Sequence, residues 1–150
     1  DGEENVIILS DHCSEISEMF DEIPALIGSN EPISDNDIEI ISIYLRKTST
    51  IFMYYSPYVD LIADSFHNLS QTILEHKEYF KELHKDNQDG LLMLFDAISS
   101  DMERYVERFS IESLAMKNSH HIHRPTALSI DQVIDLINPA EADYGDMDFF

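Results

Sequence analysis

Seven histidines stand out as the residues with chemistry to offer, and four of them support a definite functional reading. His67 falls one step after Phe66 on a stretch of helical spacing, so its imidazole points away from the apolar seam. An exposed imidazole on a bundle helix is suited to carrying a phosphoryl group, which makes His67 a candidate phosphoacceptor. Asp64, one turn earlier, would repel that group rather than steady it. His120, His121 and His123 crowd a short segment beside Arg124, and three imidazoles that close could hold a transition metal if a carboxylate joined them. Their spacing is not that of a zinc motif, because no histidine pair stands at i, i+4 and Cys13 has no second cysteine. His76 occupies a seam position, where burial favours a neutral ring satisfied by a neighbouring carbonyl or hydroxyl. Lys77, Lys81 and Lys85 form the one basic row, and Glu78 and Glu82 stand where local ion pairing would absorb Lys81 and Lys85.

Motifs for other chemistry are absent. Glu-x-x-His pairs, which a di-metal bundle needs, do not occur. Glycines at positions 2, 28, 90 and 145 cannot build a phosphate-binding loop, and there is no nucleophile elbow. The segment His67-Asn68-Leu69-Ser70-Gln71-Thr72-Ile73 resembles the phosphoacceptor box of sensor kinases in the apolar residues two and six places after the histidine. It lacks that box's neighbouring acid, its basic residue and its proline. It also lacks the lysine and glycine that follow the histidine in phosphotransfer domains. These readings point away from an enzyme and require no cofactor.

The elements that would position these side chains are helices. Val59, Ile62, Phe66, Leu69, Ile73, His76, Phe80 and Leu83 alternate steps of three and four, the seam of a rod packed lengthwise on others. Ser56-Pro57 supplies its start and residues 86–90 a hinge after it, so the spacing predicts one continuous helix of roughly 28 residues, about 42 Å long. Before it, Ser10 or Asp11 caps a helix bearing Cys13, Ile16, Phe20, Ile23 and Ile27, which Pro24 should kink or end. Ser34 and Asp37 resemble a capping box for a second helix with Ile38, Ile41, Leu45, Thr48, Phe52 and Tyr55 on its seam. That helix has an apolar surplus: Ile40, Tyr44 and Ile51 on a flank, with Ile43, Met53 and Tyr54 further round. One neighbour cannot cover all of it, so these six residues form a candidate interface. A further helix follows the hinge with Leu91, Phe95, Ile98, Met102, Tyr105 and Phe109 inward. Residues 119–125 read as a break. Ser129 and Gln132 then make a full capping box, stapled by Leu128 and Val133, for a short last helix ended by Pro139.

The expected fold is all-α: an up-down antiparallel helical bundle of four main helices plus a short C-terminal accessory helix. Residues 1–139 form the bundle domain and 140–150 an acidic, flexible tail. A formal net charge of −21 disfavours nucleic acid and anionic lipid and suits a cationic partner. No apolar run is long enough for a membrane span, and a lone cysteine agrees with a reducing cytoplasm.

Residues 94–137 resemble helical domains attached to bacterial two-component signalling proteins. The likeness is carried by Leu94-Phe95, Ser100-Asp101-Met102-Glu103-Arg104, Phe109 and Ile122-His123. The resemblance implies a regulatory, non-catalytic, self-associating module. The residue-level reading agrees: a cytoplasmic interaction module with a protein partner or a second copy of itself. Phosphotransfer through His67 and metal binding at His120, His121 and His123 are the alternatives.

Overall fold

A computed structural model describes residues 2–29, 31–55, 59–111 and 120–139, with side chains described over 11–29, 31–55, 59–108 and 124–139. These residues form six helices: α1 (Gly2–Ser29), α2 (Asp35–Met53), α3 (Asp60–Glu75), α4 (Lys77–Asp86), α5 (Gln88–Ile111) and α6 (His120–Ile137). No strand occurs among the described residues. The fold is all-α, and the helices pack against one another. The expected tail, residues 140–150, lies outside the described residues.

Helix α2 begins as its sequence dictates. The Ser34 hydroxyl accepts the Asp37 N–H at 3.1 Å, and the Asp37 carboxylate accepts the Ser34 N–H at 3.2 Å. Two donors that the helix leaves orphaned are thereby met.

Helix α1 departs from expectation. It runs from Gly2, not from Ser10 or Asp11, and it passes through Pro24. A proline inside a helix costs on the order of 3 kcal/mol. Ile23 and Ile27, flanking it, are fully buried, and each such burial contributes roughly 1.5–3 kcal/mol. Packing outweighs the missing donor.

The expected long third helix is two helices. His76 leaves the helical region at φ −123°, ψ 44°, ending α3 and starting α4. His76 is only half-buried there, so it is not the seam residue the spacing suggested. The bend turns Phe80 and His84, one helical turn apart, into the core and leaves Leu83 at its rim. The proposed start at Ser56-Pro57 lies outside the described residues. At the other end the hinge shrinks to one residue. The Asn87 side chain accepts the Gly90 N–H at 3.1 Å and so caps α5. A β-carbon on Gly90 would lie 2.4 Å from Asn87 Nδ2, which explains a glycine in the first turn of a helix.

Helix α6 overturns the reading of a break over residues 120–125, while Ser119 lies outside the described residues. It starts at His120 and continues through Pro125, so it is an 18-residue rod rather than a short accessory. Ser129 sits inside it and donates to the Pro125 carbonyl at 3.1 Å instead of capping. Leu128 is exposed, so no staple to Val133 forms. The segment is helical because Ala127, Ile130, Val133 and Ile137 line one buried face, a reward that helix alone delivers.

Helices α1 and α5 lie along each other, as do α2 and α3, while α6 packs along α3 and also touches α5. The core holds Phe20 and Phe52 against Phe66, with ring centroids 5.4 and 6.4 Å apart, and Phe80 edge-on to Phe95. Helices α2 and α3 approach closely through serines. Ser42 and Ser70 exchange hydroxyl-to-carbonyl bonds at 3.0 and 2.9 Å, and Ser49 donates to the Ala63 carbonyl at 2.7 Å. Lys77 pairs with Glu39 at 2.8 Å and Lys81 with Asp35, fastening α4 across the start of α2. The lysine row thus does more than pair locally, although Lys81 also reaches Glu78 at 3.4 Å.

Candidate functional site

The six residues read as surplus on and just after α2 separate into three groups. Ile43, Met53 and Tyr54 are exposed, at 52%, 48% and 64%. Ile40 and Tyr44 are half-buried, and the Tyr44 hydroxyl donates to Glu22 on α1 at 2.6 Å. That bond, together with the glutamate's charge, pushes the Tyr44 phenol up. Ile51 belongs to the core instead, at 8% exposed. Arg46 and Lys47, both exposed, stand between Ile43 and the Met53-Tyr54 corner, and Lys47 pairs with Glu15 on α1. At that corner three rings meet edge-on. His12, Tyr54 and Tyr55 have centroids 5.2–5.6 Å apart with interplanar angles of 75–83°. Burial, then neighbouring Cys13 and Tyr54, push the Tyr55 phenol up to about 12. The Tyr55 hydroxyl lies 2.6 Å from His12 Nδ1, within hydrogen-bond distance. Cys13 beside it is buried, and burial pushes its thiol up to about 11. A thiol held protonated is not a nucleophile.

The other imidazoles are dispersed. His67 is exposed on α3. His120, His121 and His123 fall on the first turn of α6, and their side chains lie outside the described residues. Among the described residues no group of three His, Cys, Asp or Glu side chains is placed to hold a metal. His84 is the histidine the periodicity missed. It is 1% exposed, with Nε2 2.7 Å from the Ile27 carbonyl. Its signal was the four-residue step from Phe80.

A second feature, unanticipated from spacing, is a groove between α5 and α6. It encloses about 330 Å³ and is lined by Asp101, Arg104, Tyr105, Arg108, Pro125 and Thr126. Thr126 is fully buried and donates to Asp101 Oδ2 at 2.9 Å, while its oxygen lies 2.6 Å from the Tyr105 hydroxyl. Arg104 holds the other oxygen of Asp101. Burial chiefly pushes the Tyr105 phenol up, with Asp101 adding to it. The polar floor thus ties α5 to α6 through side-chain hydrogen bonds. The available sequence signal was compositional: three of the four arginines fall at positions 104, 108 and 124.

A larger groove of about 460 Å³ runs between α3 and α6, lined by Asn68, Gln71, Thr72, Glu75, Asp131, Ile134 and Asp135. At the α1–α5 seam, Glu103 is pushed up to about 7, first by a hydrogen bond to Asp21, then by burial and the charges of Asp21 and Asp96.

No family model, curated protein or solved structure matches this chain. Among the described residues no helix is long and apolar enough to cross a membrane.

Proposed function

We propose that this chain is a non-catalytic helical module that engages another protein through the outer face of α2. The exposure of Ile43, Met53 and Tyr54 on and just after one helix supports the reading most directly. Leaving large apolar side chains in water forgoes roughly 1.5–3 kcal/mol each, which an interface recovers. Tyr54 and Arg46 are also residue types enriched where proteins meet. In this reading α3 and α4 act as one broken rod of an up-down bundle. The resemblance of residues 94–137 to domains of bacterial two-component proteins adds a regulatory, cytoplasmic setting.

Charge sets the terms of association. Two copies each carrying a formal −21 repel at low salt, whereas a cationic protein is drawn in by the same field. Light scattering across concentration and salt separates the two. Self-association predicts a mass that rises with protein concentration, rises further with salt, and returns to monomer in Ile43→Lys/Tyr54→Lys. A cationic partner predicts a strict monomer and a covalent adduct from a photocrosslinking residue at position 43 but not at position 64. A monomer that yields no adduct would end the proposal.

A further inference from the structure

We propose that the groove between α5 and α6 binds a small oxyanion, the carboxylate or phosphate group of a low-molecular-weight ligand, on Arg104 and Arg108. The inference concerns a different part of the molecule from the α2 face and does not depend on it.

The volume, about 330 Å³, is at the lower end of small-ligand sites. Arg104 and Arg108 stand four residues apart on one helix, so their side chains are neighbours on its surface. Guanidinium groups present forked donors that match the paired oxygens of a carboxylate or phosphate. The groove's one carboxylate is already engaged, one oxygen by Thr126 and the other by Arg104. Among the described residues no ion pair engages Arg108. The balance over Asp101, Arg104 and Arg108 is one net positive charge in a chain whose formal charge is −21. The floor is also preorganised. Tyr105 and Thr126 are buried and bonded to each other, so the walls do not need to be assembled by the ligand.

Charge selects the size of the ligand. A nucleic acid or acidic protein would lie along the acidic surface and meet repulsion over its whole length. A small oxyanion sits in direct contact with two guanidiniums, while charges farther than the Debye length of about 8 Å are largely screened. The ligand is therefore a small molecule, not a polyanion.

The test is a two-dimensional NMR titration at neutral pH with inorganic phosphate and, separately, with succinate, chloride being adjusted to hold ionic strength constant. The expected result is saturable shifts confined to the Tyr105 and Thr126 amides and the arginine Nε–H signals, in one arm or both; the stronger arm identifies the source of the oxyanion. Removing one charge-assisted hydrogen bond weakens binding about tenfold or more, so Arg108→Gln shows that loss while Arg46→Gln, on α2, does not. Arg108 is exposed, so its replacement is expected to leave the far-ultraviolet circular dichroism and the thermal midpoint at the wild-type values. Arg104→Gln also releases Asp101, so its circular dichroism is compared first. Shifts that stay linear in both arms, that spread over the surface, or that persist equally in Arg108→Gln would overturn the proposal.

Discussion

The end of α1 is the place to perturb. An α-helix leaves its last four carbonyls without intrahelical donors. Here α1 ends at Ser29, so the Ile27 and Gly28 carbonyls belong to that set. Two side chains from distant parts of the chain meet them. His84 Nε2 lies 2.7 Å from the Ile27 carbonyl, and Gln88 Nε2 lies 3.0 Å from the same oxygen and 3.2 Å from Gly28. A carbonyl only accepts, so His84 carries its proton on Nε2. His84→Leu keeps apolar volume and removes that donor. The loss is about 1–2 kcal/mol, one hydrogen bond plus imperfect packing. Gln88→Leu alone costs about 0.5–1 kcal/mol, because His84 still serves Ile27. With both gone, a buried acceptor has no side-chain donor, a further penalty of about 1–3 kcal/mol. The double variant should therefore exceed the sum of the singles by about 1 kcal/mol or more. Urea unfolding followed by far-ultraviolet circular dichroism measures all three against wild type, and at this chain length 1 kcal/mol corresponds to about 2–4 °C in Tm. Additive losses within error would show that the two side chains do not share the carbonyl.

Two other outcomes follow from the polar groups. Glu103 is raised from its usual range to about 7 by Asp21, so the folded state holds its proton more tightly than the unfolded chain. Its contribution is present below the ordinary glutamate range near 4.5 and is lost as pH rises through about 7. Screened by water at this partly exposed seam, the change is about 1 kcal/mol, and Glu103→Gln should remove that slope from a plot of urea midpoint against pH. An unchanged profile would show that the two carboxyls do not share a proton. Ser99 is buried on α5 with a hydroxyl that has no hydrogen-bond partner among the described residues. Ser99→Ala should raise stability by about 0.5–1 kcal/mol, from helix propensity and from removal of an unmet polar atom. A measured loss would mean that the hydroxyl has a partner after all.

Local sequence determined the rods and their inner faces. The three-four spacing of Ile38, Ile41 and Leu45, and of Leu91, Phe95, Ile98 and Met102, falls on buried positions, and Ser34 with Asp37 builds the cap its pattern announced. These are properties of one turn of chain: a period sets which side chains share a face, and a short polar side chain three residues from a partner sets where a helix starts. The candidate interface was also partly local, since only a rod with more apolar residues than one neighbour can cover leaves Ile43 and Tyr54 in water. Tertiary packing decided the rest. It carried α1 through Pro24 and α6 through Pro125, where local rules place a stop, because burial of Ile23 and Ile27 beside Pro24, and of Ala127 and Ile130 after Pro125, outweighs one lost donor. It broke the chain at His76 and thereby exchanged His76 for His84 in the interior. It brought Thr126 onto Asp101 and Tyr105, 25 and 21 residues away. No period or cap encodes that meeting, because a contact between helices depends on how two faces dock, and each face is legible in the sequence only one at a time.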